Sequence, residues 1–287
     1  MPNTPSFEEH REHLIMLGYR MLGTVAEAED MAQETYLRWS QAGEPELDSP
    51  RAWLTRTCTH LCIDQIKAAR RDRETYVGEW LPEPMVDSPQ PDGIDDSLSM
   101  ALLVAVQCLK PTERAAFLLH DVFGYDFNEV GSILGRGGAS CRQLAVRARK
   151  HLADREPRRA SPKETDPKSI ARVTEAFFEA VRSGELGNIR AVLAEDAVLY
   201  SDGGGKVAAV RHPLHGGDAI ARFFEGIFRK NREFEVEDIW LNGAPGKLLR
   251  EKSKPATAFQ AFVAGGRITA IYAQRNPDKL AGFADAR

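Results

Sequence analysis

The stretch at residues 126–152 reads DFNEVGSILGRGGASCRQLAVRARKHL, and it gives the clearest indication of the fold. Asp126, followed three residues later by Glu129, is a capping pattern that predicts the start of a helix. The glycines at positions 135, 137 and 138 predict a turn that two packed helices can share. Beyond the turn, apolar residues at helical spacing predict the buried face of a second helix: Cys141, Leu144, Ala145, Ala148 and Leu152. The stretch therefore predicts a helix-turn-helix.

The other face of this second helix carries mostly cationic and amide side chains, which are accompanied by one valine: Arg142, Gln143, Val146, Arg147 and Lys150. A helix with cations along one face is most often only a solvated surface helix. Here a short helix and a glycine turn precede it, and this layout presents a recognition helix to the major groove of DNA. We therefore predict DNA binding.

The charge of the whole chain excludes a protein that coats nucleic acid through a generally basic surface. The formal net charge is −4 at pH 7. Any contact with DNA must therefore come from local basic clusters. Two such clusters are present in the sequence, at residues 67–73 and 136–159.

The composition predicts neither membrane insertion nor a metal centre. The longest apolar run, at residues 100–106, is too short for a membrane span, and the N-terminus lacks the pattern of a secretion signal, so we expect a cytoplasmic protein. The 4 cysteines lie in helical patterns that are typical of buried, reduced thiols. Cys58, His60 and Cys62 suggest a metal, but His60 points away from the face that the two thiols share. We predict no metal and no cofactor.

Helical segments alternate with proline-rich segments in the first half of the chain. Residues 7–76 read as helices, and apolar residues form a stripe along 25–39. Residues 77–96 are rich in proline and aspartate and predict a tether, although Trp80 and Leu81 favour docking on another surface. Helices resume at residue 98 and continue through the helix-turn-helix, and a second tether follows at 156–168.

From residue 169 the pattern changes to two helices, at 170–182 and 188–194, that precede a series of strands. We predict strands at 197–201, 207–211, 234–240, 247–251, 256–263 and 268–274, with one helix at 218–229. Asn242-Gly243 and Gly265-Gly266 are typical hairpin turns. The pattern indicates an α+β domain in which helices wrap a curved antiparallel sheet.

The two helical units together resemble those of sigma factors of the extracytoplasmic-function class. Residues 28–38, AEDMAQETYLR, resemble the polymerase-binding helix of region 2. Residues 53–56, WLTR, and 64–67, DQIK, resemble its promoter-melting helix, although His60 stands where many relatives have asparagine. Residues 114–121, RAAFLLHD, and 142–149, RQLAVRAR, resemble region 4.

Three further strings narrow the resemblance to the subgroup of these sigma factors with a fused C-terminal SnoaL-like domain. They are WLPEP at 80–84, DGGGK at 202–206 and NPDKL at 276–280. The resemblance implies a multidomain chain with two all-α sigma domains, a region 2 helical bundle at 1–76 and a region 4 helix-turn-helix at 97–155. Linkers at 77–96 and 156–168 would flank region 4. An α+β SnoaL-like domain with a cone-shaped curved sheet would occupy 169–287.

The resemblance also implies a site for each step of transcription initiation. The core RNA polymerase would bind through its beta-prime coiled coil and its beta flap, and the coiled coil would meet Asp30, Gln33 and Glu34. Promoter DNA at the minus-10 element would be held by Trp53, Arg56, Lys67, Arg70 and Arg71, with base capture in the loop at 44–49. Trp53 fits an ordinary core position better than a DNA contact. The minus-35 element would be read by Arg142, Gln143, Arg147, Arg149 and Lys150.

The C-terminal domain lacks a catalytic pattern that the sequence can reveal. Acid–base groups are present at Tyr200, Asp202, His212, His215 and Asp238, but no nucleophile stands beside a paired base. The resemblance implies regulation in cis rather than catalysis, and SnoaL-like folds leave room for an unidentified small ligand. The interdomain regulatory residues would be Trp80, Leu81, Pro82, Glu83, Pro84, Asp202, Gly203, Gly204, Gly205, Lys206, Asn276, Pro277, Asp278, Lys279 and Leu280.

Two alternatives are left open by the sequence. One is a helix-turn-helix regulator with a ligand-binding domain, which would need neither the helix at 29–39 nor the helix at 53–71. The other is a SnoaL-like enzyme with a DNA-binding appendage.

Overall fold

The computed structural model describes residues 4–42, 49–86, 99–155, 166–230, 234–252 and 254–283. The chain divides into two compact units, of which the first comprises Met1–Glu74 and Leu103–Pro157. The second comprises Thr75–Leu102 and Arg158–Arg287. Of the predicted linker at 77–96, residues 77–86 are described, and they belong to the second unit.

The first unit begins with four helices, as the sequence predicts for residues 7–76: α1 (Thr4–Leu22), α2 (Val25–Gln41), α3 (Pro50–Ala68) and α4 (Arg70–Glu74). The Thr24 hydroxyl accepts a hydrogen bond from the Glu27 amide and caps α2. Ser49 caps α3, and Pro50 follows at a position where a missing amide hydrogen is harmless. The apolar stripe of α2 is buried at Ala28, Ala32 and Trp39.

The chain continues with α5 (Met100–Val106), whose residues from Leu103 onward belong to this unit, α6 (Pro111–Phe117) and a π-helix (Leu118–Val122). The helix-turn-helix follows as α7 (Phe127–Leu134) and α8 (Gly138–Arg155). The predicted capping box of Asp126 and Glu129 is present at the start of α7. Gly135 ends that helix with a φ of 63°, a conformation that favours glycine. A side chain at Gly131 would place its Cβ 2.6 Å from the Arg136 carbonyl oxygen, so the tight turn also requires glycine there.

A buried arginine joins the two groups of helices in the first unit. The Arg114 guanidinium is 1% exposed and donates to the Met21 carbonyl at 2.6 Å and the Gln107 carbonyl at 2.9 Å. Arg73 donates to the neighbouring Leu22 carbonyl at 2.7 Å. The Met21 and Leu22 carbonyls lie at the end of α1, where no helical amide can reach them. Burial, followed by the proximity of Arg73, lowers the pKa of Arg114.

The second unit contains α9 (Pro167–Ser183), α10 (Leu186–Val192), β1 (Leu193–Asp202), β2 (Leu214–His215), α11 (Gly217–Lys230), β3 (Glu235–Leu241), β4 (Ala244–Glu251), β5 (Lys254–Ala264), β6 (Arg267–Gln274) and a 3-10 helix (Pro277–Phe283). The strands form one sheet in the order β2-β1-β6-β5-β4-β3. β1 and β6 are parallel, so the predicted antiparallel sheet is in fact mixed.

The helices of the second unit pack on one face of this sheet through aromatic side chains. The Phe177 ring lies 5.6 Å from Phe259 and 5.0 Å from Phe224, and Phe178 lies 4.9 Å from Phe259, as measured between ring centroids. At the β3–β4 turn, Asn242 and Gly243 have φ values of 47° and 76°, as the predicted hairpin requires.

One predicted strand is wrong. Residues 207–211 form a loop, and the short β2 lies further along the chain at Leu214–His215. The loop follows a glycine turn in which the Lys206 and Val207 amides donate to the Gly203 carbonyl. The Arg275 guanidinium donates to the Ala208 carbonyl, and Val207 is exposed. The backbone here is held by a turn and a side chain rather than by a neighbouring strand. None of the described helices is both long and apolar enough to cross a membrane.

Candidate functional site

The predicted polymerase-binding residues lie on the exposed side of α2. Asp30 and Gln33 are exposed, whereas Glu34 is partly exposed and forms an ion pair with Arg38 at 3.0 Å. The opposite side of this helix is buried through Ala28, Ala32 and Trp39. The carboxylates and the amide are therefore presented together on one surface.

The predicted minus-10 residues on α3 and α4 divide into core and surface positions. The Trp53 ring is half-buried and lies 5.3 Å from the Trp39 ring, edge to face, so it packs in the helical core. Arg56 is exposed. Lys67 and Arg70 are also exposed and form ion pairs on their own helices, with Asp64 and Glu74. The side chain of Arg71 and the loop at 43–48 lie outside the described residues.

His60 and its neighbouring thiols face different surroundings. The His60 Nε2 atom lies 2.9 Å from the Ile133 carbonyl oxygen of α7, within the same unit. Cys58 and Cys62 are buried, and the side chain of Cys58 together with burial raises the pKa of Cys62. Within the described part of the chain, no group of three metal-binding side chains comes together.

The predicted minus-35 residues are all exposed on α8, whereas the five residues of its predicted apolar face are buried. The Arg142 guanidinium lies 5.2 Å from the centroid of the Phe127 ring on α7, a cation–π contact that orients it. Arg149 forms an ion pair with Asp121 at 2.7 Å. Gln143, Arg147 and Lys150 are exposed along the rest of the helix.

A second site forms around the buried carboxylate of Asp202, at the end of β1. Its Oδ1 atom accepts hydrogen bonds from the Tyr76 hydroxyl at 2.7 Å and the Gly204 amide at 2.9 Å. Its Oδ2 atom accepts from the Leu81 amide at 3.0 Å and the Gln274 amide group at 3.3 Å. Burial and this carboxylate raise the pKa of Tyr76. We call Tyr76, Leu81, Asp202, Gln274, Asn276 and Lys279 the Asp202 cluster.

Lys279 supplies the charge that balances Asp202. Its Nζ atom lies 2.7 Å from Asp202 Oδ2 and donates to the Leu81 carbonyl at 2.6 Å. The same atom lies 4.0 Å from the centroid of the Trp80 ring. Because Asp202 is 0% exposed and Lys279 is 8% exposed, this ion pair is shielded from water. The strings at 80–84, 202–206 and 276–280 therefore meet at one buried ion pair.

The three glycines of the second string each allow a close approach. Gly204 has a φ of 61°, and a Cβ there would lie 2.5 Å from the Asn276 side-chain amide. The Asn276 amide nitrogen in turn donates to the Tyr76 hydroxyl at 3.0 Å. A Cβ at Gly205 would lie 3.2 Å from Val77. Gly203 is also closely surrounded, because its Cβ would lie 2.4 Å from the Val207 carbonyl oxygen.

The remaining residues of the first string lead to a contact with the β3–β4 hairpin. Pro82 and Pro84 are buried, and Glu83 is partly exposed. Met85 and Asn242 exchange two hydrogen bonds, of 3.2 and 3.0 Å. The end of this string is thus bound to the sheet, which agrees with the docking that its apolar residues favour.

The rest of the third string belongs to the 3-10 helix. Leu280 packs with Phe283, Leu241 and Leu248. Pro277 is exposed. Lys206 and Asp278 form an exposed ion pair at 2.6 Å that does not involve the buried cluster.

The five candidate acid–base residues differ in their surroundings. Asp202 accepts hydrogen bonds from several donors, and Asp238 pairs with Lys247 at 2.7 Å. The Tyr200 ring stacks on Tyr272 at 5.3 Å. His212 and His215 are exposed.

Three protein-family models match the chain: Sigma-70 region 2 at residues 6–72, Sigma-70 region 4 at 99–152 and a SnoaL-like domain at 174–247. The chain is 34% identical to the ECF RNA polymerase sigma factor SigJ of Mycobacterium tuberculosis, across 96% of this chain and 92% of that protein. The chain belongs to the ECF RNA polymerase sigma factors.

Two further comparisons support this assignment. The crystal structure of M. tuberculosis SigJ matches with a TM-score of 0.77 and 30% identity, over 98% of this sigma factor and 99% of that chain. The probable sigma factor SigI of M. tuberculosis is 36% identical over 67% of each chain. This ECF sigma factor directs transcription and carries a fused SnoaL-like domain. The sequence prediction of the family is therefore confirmed.

Several residues that shape this sigma factor were not found from its sequence. Tyr76 and Gln274 contribute to the Asp202 cluster but flank the conspicuous strings rather than lie in them. Arg114 is part of a predicted region 4 helix, yet its sequence pattern gives no sign of full burial. For Tyr76 and Gln274, the sequence signal that could have found them is their position close to the strings.

Proposed function

We propose that this sigma factor reads its promoters at two points and that its SnoaL-like domain controls initiation in cis. The exposed carboxylates and amide of α2 would bind the beta-prime coiled coil of core polymerase through charge-assisted hydrogen bonds. Region 4 would bind the beta flap. The observation that carries the regulatory part is the buried Asp202–Lys279 pair, which holds the Trp80–Leu81 segment.

The roles in DNA binding follow from exposure and charge. Arg56, Lys67 and Arg70 are exposed cations that suit the phosphates of a melted minus-10 strand. On α8, Arg142 and Gln143 are the first of the predicted minus-35 residues along the helix, and they suit guanine and adenine edges at the minus-35 element. Arg147, Arg149 and Lys150 suit phosphates, and Arg71 is proposed with them on sequence alone. Because the Trp53 ring packs on Trp39, we assign Trp53 a supporting role.

Control in cis would act through the length of chain between regions 2 and 4. Residues 77–98 join the two regions, and a fully extended chain of that length reaches roughly 75 Å. When residues up to Val86 are bound to the C-terminal domain, only residues 87–98 can extend, to roughly 40 Å. The Asp202 cluster would thus set how far apart the two DNA-binding regions can move. Whether this favours or hinders initiation depends on the spacing that the promoter requires.

Two-point promoter reading is tested by transcription from a randomised template library with bacterial core polymerase and the purified chain. Sequencing the 5′ ends of the transcripts would reveal two enriched elements at fixed spacing if the proposal holds. Enrichment of a single element, or binding of duplex DNA without initiation, would contradict it. Core polymerase alone is the control.

Control in cis is tested by Trp80→Ala, which removes the ring over the Lys279 ammonium. We expect faster hydrogen exchange in residues 202–206 and a changed yield of promoter-dependent transcript. If both measurements match those of the wild-type chain, the linker does not act through this cluster.

We infer a regulatory rather than a catalytic role for the C-terminal domain. Asp202 is engaged by several hydrogen-bond donors, Asp238 pairs with Lys247, and His212 and His215 are exposed. A small ligand of this domain stays a prediction. Substrate turnover by the wild-type chain, tested with and without core polymerase, would contradict the inference.

A further inference from the structure

One valine stands out on the exposed face of α8. Val146 is 54% exposed, and it lies four residues after Arg142 and four residues before Lys150. Residues four apart lie in one row along a helix, so these three side chains form a line from one end of the exposed face to the other. Val146 therefore stands at the middle of the surface that we propose to enter the major groove.

The position of this valine is not explained by packing within the first unit. The buried face of α8 is formed by Cys141, Leu144, Ala145 and residues further along, and Val146 lies on the opposite side. Valine is also a poorer helix former than alanine at an exposed site, because its branched side chain loses rotamer freedom. A single exposed valine is common on protein surfaces. The place of Val146 at the middle of a cationic face is what points to a contact that α8 makes with a partner.

The chemistry of the surrounding side chains identifies that partner as DNA. The nearest exposed residues along the helix are cations and an amide, which suit phosphates and base edges. A protein-binding surface would instead surround its centre with further apolar side chains. Among the described residues, the other large apolar side chains with high exposure are Leu37, Val77, Val86 and Val207, and none of them lies on α8.

We propose that Val146 contacts the 5-methyl group of a thymine in the minus-35 element. In the major groove, this methyl group is the apolar feature that distinguishes thymine from the other bases, and apolar side chains are its usual partners. Lys150 on one side would hold a phosphate and Arg142 on the other would read a neighbouring base, while the valine reads one thymine. This inference rests on the proposed reading of the minus-35 element by α8.

The contact is tested by removing the 5-methyl group from the thymine and both γ-methyl groups from the valine. The probe is a promoter duplex that core polymerase, loaded with this sigma factor, selects from a randomised pool. Each thymine of its minus-35 element is replaced in turn by deoxyuridine, which lacks only the 5-methyl group. Binding of each duplex is measured with wild-type holoenzyme and with Val146→Ala holoenzyme. Alanine is the best helix former, so the variant retains α8.

We expect one deoxyuridine substitution to weaken wild-type binding by about three- to tenfold, the size expected for loss of one buried methyl group. The same substitution should leave Val146→Ala binding within about twofold. Lys150→Ala is the matched control, because loss of a phosphate contact weakens binding to both duplexes equally and preserves the effect of the methyl group.

Three outcomes would overturn the contact. They are a selected minus-35 element without thymine, an equal response of wild type and Val146→Ala to every deoxyuridine, and weaker binding of Val146→Ala to core polymerase in the absence of DNA. Failure of the proposed function gives a different result. In that case wild-type holoenzyme does not distinguish the selected minus-35 element from a scrambled one. This result would contradict both the proposed role of α8 and the Val146 contact.

Discussion

Replacement of Lys279 by methionine would remove the positive charge from the Asp202 cluster while keeping a side chain of similar length. The Lys279 Nζ atom lies 2.7 Å from the Asp202 carboxylate, which is 0% exposed. Breaking a buried ion pair costs about 3–5 kcal/mol, because the remaining charge is left without a counter-charge. Tyr76, Leu81, Gly204 and Gln274 still donate to the carboxylate. We therefore expect the lower end of that range, about 3 kcal/mol.

Hydrogen exchange at the Leu81 amide measures this loss locally. The amide donates to Asp202 at 3.0 Å, so its exchange reports opening of the cluster without assuming that the whole chain unfolds in one step. A loss of about 3 kcal/mol corresponds to exchange that is faster by about a hundredfold. If the free energy of global unfolding is smaller than this loss, the exchange rate of the Leu81 amide would increase by a smaller factor.

Lys206→Met is the matched control for this measurement. Lys206 forms an ion pair with Asp278, but both side chains are more than half exposed, at 55% and 62%. Exposed pairs contribute about 0–1 kcal/mol, so Leu81 exchange should change by less than about fivefold. Equal effects of the two substitutions, or no effect of Lys279→Met, would refute the reasoning that burial makes this pair strong.

Three further predictions concern the first unit. Gly131→Ala would place a Cβ 2.6 Å from the Arg136 carbonyl oxygen, so thermal unfolding should show a loss of about 1–3 kcal/mol, and an unchanged melting temperature would contradict the tight turn. Burial, followed by the charge of Arg51, lowers the pKa of His13 from 6.5 to about 4, so the unfolded chain binds the extra proton first as the pH falls. The free energy of unfolding should therefore decrease from pH 6.5 to pH 4 by about 1–2 kcal/mol once solvent screening is allowed for, and urea titrations of His13→Gln should lack that decrease. Arg142→Ala should cost about 1–3 kcal/mol at one minus-35 position in a binding-site selection, whereas an unchanged base preference would remove this residue from base reading.

Local sequence patterns predicted the helix-turn-helix because each of its features depends on near neighbours. The capping residues Asp126 and Glu129 lie within one helical turn, and Gly135 closes the same helix. The buried face of α8 follows from helical periodicity alone. Such features need no knowledge of the rest of the chain.

Features that depend on distant parts of the chain were predicted less well. Residues 207–211 were predicted as a strand, but a glycine turn and the Arg275 side chain hold them as a loop. The parallel pairing of β1 with β6 joins residues far apart in sequence, so no hairpin signal marks it. Arg114 is a similar case, because its burial depends on the end of α1.

The candidate sites show the same division. The strings at 80–84, 202–206 and 276–280 were recognised through a resemblance, and their residues meet around Asp202. Their geometry could not be read from the sequence, because the Tyr76 and Gln274 contacts join residues more than 70 positions apart. Exposure of the α8 cations was predictable, whereas the Arg149–Asp121 pair was not.

Single-round transcription tests most directly whether the Asp202 cluster controls initiation. Core polymerase would be loaded with wild-type chain, Lys279→Met or Lys206→Met, and transcripts would be counted from one selected promoter at saturating sigma factor. We predict that Lys206→Met matches the wild type and that Lys279→Met changes the yield by at least about threefold, given the expected opening of the cluster. Equal yields from all three chains, with Leu81 exchange accelerated in Lys279→Met, would contradict control in cis.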